Sequence, residues 1–338
     1  MRRATMRDVA ARAGVSLKTV SRVVNLEPGV SPRLAENVQE AARELDYRHN
    51  LAARHLRQSL QRTNSLAVLV QDLSNFYSAE LIRAIDDVAR AREIVVISAS
   101  LDEEEDRERD VVANLINRRV DGLIMMPASR DQSYLSAQIE AGFAVVIIDR
   151  PPGNLAADTV TVDNHSGAAE ATAHLIAHGH RRIAVITDDQ RILTAHARLS
   201  GYRAALQRAG IGPDASLVRT ARTRADATSL VHGLLQLEDP PTAIFAARNA
   251  ITEGAVAALQ QVGASSTVAL VGFDDIPSGD LLSPAVTVIR QDVAEVGRRA
   301  TQLLLHRLDD RSLPPHDIVI PTELVARGSG EIRPRSTD

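Results

Sequence analysis

The chain has 338 residues, 44% of them hydrophobic and 24% charged, so it is long enough for more than one domain and has ample apolar material for soluble cores. It has no cysteine, which excludes disulfides, catalytic thiols and thiolate metal sites. No apolar run approaches the roughly 20 residues that span a bilayer, and no apolar segment follows Arg2 and Arg3 as a secretory signal requires, so a cytoplasmic protein with no membrane partner is expected. The net charge of -4 divides unevenly: residues 1–62 carry +6 and the remainder -10, which suits a polyanionic partner for the head alone.

Helix signals begin at once. Thr5 with Asp8 three residues later has the form of a capping box, and Met6, Val9, Ala10 and Ala13 then recur on one apolar face. Gly14 stops this helix. Ser16 is placed to cap a second one, which buries Val20, Val23 and Val24 and turns Leu17, Lys18, Ser21 and Arg22 to solvent. Lys18 is the only lysine of the chain. Two short helices joined by such a turn read as a helix-turn-helix, whose second helix fits the major groove of DNA. Val30-Ser31-Pro32 opens a third helix, with Ser31 as cap and Leu34, Val38, Ala41 and Leu45 as its buried stripe. Residues 50–62 carry little apolar surface beyond Leu51 and Leu56, and are expected to form a linker that orders on contact with a partner.

From Ser65 the pattern changes to short apolar strands alternating with longer amphipathic helices. Strands are expected at 66–70, 94–98, 122–126, 145–149, 183–187, 243–246 and 268–273, and helices at 106–119, 168–178, 198–209 and 251–262. This alternation implies an α/β body of parallel sheets covered on both faces, divided into two sheets near Val162. Ligands of such sheets bind outside the strand carboxyl ends, where Asp149-Arg150, Asn249 and Asp274-Asp275 collect.

Asp8-Val9-Ala10, Ala13-Gly14-Val15-Ser16, Thr19-Val20-Ser21-Arg22-Val23-Val24-Asn25 and Val30-Ser31-Pro32 resemble the head of the lactose-repressor (LacI/GalR) family of transcription regulators. The resemblance continues over residues 50–56, at Arg118-Arg119-Val120-Asp121-Gly122-Leu123-Ile124, at Gly179-His180-Arg181-Arg182-Ile183-Ala184, at Arg198-Leu199-Ser200-Gly201-Tyr202 and at Val271-Gly272-Phe273-Asp274-Asp275, and so covers essentially the whole chain. It implies a helix-turn-helix head (1–49), a hinge helix (50–62) and a two-lobed core like a periplasmic sugar-binding protein. The N-lobe is expected to take 63–162 with about 290–320, the C-lobe 163–289 with about 321–330, and a polar tail 331–338. The implied partners are a palindromic double-stranded operator, a second copy of the chain and a small-molecule effector, most simply a sugar. The tail lacks a heptad, so a dimer is expected.

In that resemblance Leu17, Lys18 and Arg22 match base-reading positions, while Thr5, Ser16, Thr19, Ser21, Asn25 and Tyr47 match backbone contacts. The chemistry agrees, since Arg22 and Lys18 can donate to guanine acceptors whereas hydroxyls serve phosphates. Ala53 and Leu56 match hinge positions in the minor groove, Leu56 as a wedge between base pairs. Asp149, Arg150, Arg198 and Asp274 match the lining of the effector cleft, with Phe76 and Asn249 as further expected contacts; a guanidinium beside carboxylates suits a ligand dense in hydroxyls. Two departures stand out. Arg248-Asn249 replaces the family's frequent Asn-Asp and favours an anionic or phosphorylated sugar, and Ser74-Asn75-Phe76-Tyr77 lacks the usual proline after Asn, which leaves the stacking ring undecided.

Glu170, His174 and His178 recur at helical spacing but have no further ligand, and neither a P-loop nor a G-x-G-x-x-G segment is present, so neither metal nor cofactor is expected. The leading reading is a ligand-responsive transcription regulator, most often a repressor and not an enzyme. A solute-binding protein would suit the core but not residues 1–62. A cleft hydrolase or lyase would need Asp149 and Asp274 as an acid and base pair.

Overall fold

The computed structural model describes residues 4–24, 28–47 and 62–334, which fall into two compact units divided after Thr63.

The first unit contains α1 (Met6–Ala13), α2 (Leu17–Val24) and α3 (Pro32–Glu44). Thr5 and Asp8 form the reciprocal capping box at the start of α1. Gly14 ends the helix in the left-handed conformation, φ 66°, with its N–H donating to the Ala10 carbonyl, a geometry that any Cβ would strain. The Thr19 N–H donates to Ser16 Oγ at 3.1 Å, so Ser16 caps α2 through its side chain. Ser31 stands at the cap position of α3 but makes no side-chain cap bond; Pro32 in the first turn begins that helix. The core consists of Val9, Val20 and Val38 with Ala10, Ala13, Val23 and Ala41, and Val24 is only partly covered. Asn37 Nδ2 donates to the Ala13 carbonyl at 3.0 Å and ties α3 to the end of α1.

The second unit has two six-stranded sheets. The first contains, in chain order, β1 (Ser65–Val70), β2 (Val95–Ser100), β3 (Gly122–Met125), β4 (Ala144–Ile148) and β5 (Asp158–Val162), with β11 (Asp317–Ile320) joining at one edge, in the order β11-β5-β4-β3-β1-β2. The second contains β6 (Ile183–Thr187), β7 (Val218–Thr220), β8 (Ala243–Ala246), β9 (Ala269–Phe273), β10 (Thr287–Gln291) and β12 (Thr322–Val325), in the order β12-β10-β9-β8-β6-β7. Every pairing is parallel except β10 with β12.

Both faces of each sheet are covered. On the first sheet α4 (Phe76–Arg90) and α11 (Val293–Asp309) bury one face, and α5 (Glu105–Asn117) with α6 (Ser136–Glu140) the other. On the second, α7 (Asn164–Ala177) and α8 (Leu193–Arg208) lie against one face, and α9 (Arg224–Leu235) with α10 (Asn249–Gln261) against the other. Strands β5, β7, β10, β11 and β12 and helices α4, α6, α9 and α11 are not among the elements expected from the sequence pattern. The chain passes between the sheets three times, at Asp163, Asp292 and Pro321. At the first two passages the aspartate also caps the helix it enters, through the Ser166 and Glu295 N–H groups. Glu331 and Ile332, expected in a polar tail, belong to the fold: Glu331 accepts from the Thr287 hydroxyl at 2.9 Å, and the Ile332 carbonyl is 2.7 Å from His180 Nε2.

Candidate functional site

In the head, the outward face of α2 is only partly open to solvent. Leu17 is 44% exposed and Lys18 is exposed beside it, while Ser21 and Arg22 are half-buried one turn on. Ser16 Oγ and Thr19 Oγ1 lie 2.9 Å apart at the entrance of the helix. Tyr47 packs part of its ring against the head core, and that burial raises its phenol pKa. Asn25, Ala53 and Leu56, with the linker that carries the last two, lie outside the described residues.

In the second unit the strand carboxyl ends open on one cavity of about 320 Å³, whose lining includes Asp149, Arg150, Arg198, Asn249 and Asp274. Five of the six expected cleft residues therefore converge. The sixth, Phe76, does not line it: it is 39% exposed and borders an adjoining groove, whereas Tyr77, one position on, lines both. The helix start sets this difference. The Asn75 side chain accepts from the Tyr77 N–H at 3.0 Å and so fixes where α4 begins, and successive helical residues point about 100° apart.

Arg198 organises the side of the cavity formed by the second sheet. Its guanidinium donates to Asn164 Oδ1 at 2.7 Å and to the Ala247 carbonyl at 2.9 Å, pairs with Asp274 at 3.4 Å, and lies 3.7 Å from the Phe273 ring centre. It reaches Asn164 because α8 packs closely on α7 at Gly201, where a Cβ would come within 2.2 Å of the His165 carbonyl. Asp274 also accepts from Gln291 Nε2, and Gln291 Oε1 accepts from the Tyr77 hydroxyl at 3.2 Å. Arg198, Asp274, Gln291 and Tyr77 thus form one chain of bonds that begins on the second sheet and ends on α4 of the first. Burial, with Asp149 and Asp274 nearby, pushes the Tyr77 phenol well above its ordinary pKa and keeps it a donor.

A second bridge is an amide pair. Asn249 Nδ2 donates to Asn75 Oδ1 at 2.8 Å, and Asn75 Nδ2 to Asn249 Oδ1 at 3.2 Å, joining the starts of α4 and α10. On the first sheet, Arg150 donates through two nitrogens to Glu103 and also to the Pro127 carbonyl at 2.7 Å. Among the described residues its neighbour Asp149 pairs only with the Arg150 Nε, at 3.4 Å, and burial raises its carboxyl pKa despite Arg150 and Arg198 nearby. Asp149 and Asp274 both adopt left-handed backbone, φ 68° and 70°, at corresponding ends of β4 and β9. Such conformations cost about 1–3 kcal/mol and cluster at functional sites.

Arg248 does not present a free charge to a ligand. It pairs with the buried Asp188 and donates to the Arg222 carbonyl at 2.7 Å, so the cation expected to favour an anionic sugar is already neutralised. Sequence reasoning missed Asn75, Tyr77, Asn164, Asp188 and Gln291 as site residues. Asn75 and Tyr77 lay in a segment already singled out; the other three have no local signal. His174 is engaged by Glu331 from the chain's end, and no cluster of metal-ligating residues occurs among the described residues.

Two family models match the chain: "Bacterial regulatory proteins, lacI family" over residues 5–50 and "Periplasmic binding protein-like domain" over residues 172–330. The ribose operon repressor of Escherichia coli K12 is 32% identical, over 96% of this chain and 99% of that protein. The chain belongs to the LacI family. Catabolite control protein A of Priestia megaterium, another LacI-family regulator, is 29% identical over 96% of this chain and 98% of its own. The solved lac repressor dimer bound to operator and the anti-inducer ONPF matches with a TM-score of 0.84 at 26% identity, covering 97% of this chain and 99% of that one. The helix-turn-helix head and the periplasmic-binding-protein-like body are therefore those of a LacI-family DNA-binding transcription regulator. No helix among the described residues is long and apolar enough to cross a membrane.

Proposed function

We propose that this LacI-family regulator is a cytoplasmic repressor that binds a palindromic operator as a homodimer and is controlled by a sugar or sugar-like effector held in the cavity of the second unit. The observation that carries this reading is the pair of bridges across that cavity, Asn75 with Asn249 and Tyr77 with Gln291, each joining an element of the first sheet to one of the second. A ligand seated among these groups competes with or reinforces the bonds between the two halves. It therefore has differential affinity for their arrangements, which is what any ligand-driven switch requires. Coupling of about 1–3 kcal/mol, or 5- to 150-fold in operator affinity, is typical of such control. Asp274 is already engaged by Arg198 and Gln291, which suits a binding group better than a catalytic base.

We assign residues 1–49 to the DNA-binding head and 50–62 to the hinge, with Ala53 and Leu56 in the minor groove. Residues 63–162 and about 290–320 form one lobe of the body, and 163–289 with about 321–330 the other, in agreement with the return of α11 and β11 to the first sheet and of β12 to the second. The dimer reading is supported by β2, the edge strand of its sheet, where Val95 is 63% and Ile97 40% exposed. An apolar edge of this kind is ordinarily covered in the working assembly.

The test is fluorescence anisotropy on the purified protein with duplex DNA from its own upstream region, repeated with a panel of sugars. A salt-dependent, palindrome-dependent complex whose affinity shifts at least fivefold with one sugar is expected. Binding to all duplexes alike, with no response to any sugar, would overturn the reading.

A further inference from the structure

Of the 39 lysine and arginine residues of the chain only one is a lysine, Lys18. It is the second residue of α2 and is exposed there beside Leu17. We propose that Lys18 is an acylation site, at which transfer of a small acyl group from an acyl phosphate or acyl thioester to Nζ switches off operator binding. This rests on the reading of α2 as the DNA-facing helix, and it adds a control that is independent of the effector cavity.

Chemistry confines the reaction to this residue. An acyl donor reacts with the amine of a lysine and not with a guanidinium, which stays protonated and delocalised. The body has no side-chain amine at all. Its buried ion pairs, Arg150 with Glu103, Arg198 with Asp274, Arg248 with Asp188 and Arg307 with Asp158, are made by arginine and survive the donor unchanged. The one side-chain target lies in the helix-turn-helix.

Local energetics make the charge of Lys18 dispensable for folding. Ser16 caps α2 through the Thr19 N–H, and among the described residues Lys18 makes no hydrogen bond or ion pair. A cation in the first turn faces the positive end of the helix dipole, and Arg22, four residues on, is a like charge on the same side. Both effects oppose the folded helix, so the ammonium serves a partner outside it. Phosphates and guanine edges of DNA are partners of that kind.

In the transfer, neutral Nζ attacks the acyl carbonyl carbon and a C–N bond forms. The C–O bond to phosphate, or the C–S bond of a thioester, breaks, and the amine's proton passes to the departing phosphate or thiolate. The amide product is uncharged and keeps one N–H where the ammonium had three. Each head thereby loses one charge-assisted contact to DNA.

The experiment treats the purified full chain with acetyl phosphate at neutral pH and follows Lys18 by peptide mass spectrometry. Affinity for duplex DNA from its own upstream region is read by fluorescence anisotropy, and each protein is compared with its own untreated sample. Acetylation of Lys18 is expected to lower operator affinity roughly tenfold or more, with the melting temperature unchanged or raised. Lys18→Arg, whose remaining amine is the α-amine of the chain, should change by less than about twofold on treatment. Operator bound beforehand should shield Lys18 from the reagent. A Lys18 that stays unmodified in the free protein, full acetylation without loss of affinity, or an equal loss in treated Lys18→Arg overturns the proposal. So does a loss of affinity that comes with a fall in melting temperature, which is unfolding. Equal acetylation of Lys18 in free and operator-bound protein removes its assignment to the DNA interface as well, and a native protein that binds no duplex removes the regulator reading itself.

Discussion

Replacing Arg198 with methionine should destabilise the body of the protein before it reports anything about effector binding. The Arg198 and Asp274 side chains are only 6% and 10% exposed, so their pairing is not a surface ion pair that solvent screens. Methionine retains much of the volume but donates nothing. Asp274 then keeps Gln291 alone, and Asn164 Oδ1 and the Ala247 carbonyl both lose their donor. Stranding one member of a buried pair costs about 3–5 kcal/mol. At about 2–4 °C per kcal/mol for a body of this size, the melting temperature should fall by roughly 6–20 °C. Scanning calorimetry on the purified single variant measures the loss, and Asp274→Asn added to Arg198→Met should recover a large part of it, because a neutral amide has no charge to compensate. A single variant that melts within about 2 °C of the native protein would refute the role given to this guanidinium.

In the head, Lys18→Ala should relax preference at one or two operator positions, whereas Ser16→Ala should weaken all sequences alike and also lower head stability by about 0.5–2 kcal/mol through the lost cap on α2; selection against a randomised operator library, with a melting curve for each variant, separates the two. Asp149→Asn should stabilise the protein at neutral pH. Burial raises the folded-state pKa of this carboxyl, so its ionised form opposes folding at higher pH, and the advantage of asparagine should vanish as pH falls below about 4, where the unfolded carboxyl is protonated as well. Urea denaturation of both proteins at pH 4 and pH 7 tests this, and an equal difference at the two pH values would contradict it. Leu56→Ala should leave head folding unchanged and lower affinity for the specific operator more than for random DNA, as measured by competition binding.

The head was legible because its determinants are local. A cap and its partner lie three residues apart, as Thr5 and Asp8 do, and the buried residues recur at helical spacing within each element: Val9, Ala10 and Ala13 on α1, Val20 and Val23 on α2, Val38 and Ala41 on α3. The central strands of the body were legible for a related reason, since β3, β4, β6, β8 and β9 are buried along their whole length and read as continuous apolar runs. The strands that were missed lack such runs. β5 reads Asp158-Thr159-Val160-Thr161-Val162 and is buried although alternate positions are polar, because Arg307 pairs with Asp158 and the Asp317 side chain accepts from the Thr159 hydroxyl.

The amino-acid sequence by itself determined the helix-turn-helix, the alternating α/β body, the strand-end residues Asp149, Arg150, Asn249 and Asp274, and Arg198 through its motif, since each depends on periodicity, a cap or a motif within a short segment. The tertiary structure alone decided what those residues face. Gln291 and Asp188 reach the cavity, and Asn164 reaches Arg198 beside it, from elements far apart in the chain, brought together by sheet order and the three passages between sheets. The same convergence placed Tyr77 rather than Phe76 at the cavity, through the point at which Asn75 starts its helix, and set Asp188 against Arg248. Charge and direction are properties of neighbours in space, and for these residues the neighbours are not neighbours in sequence.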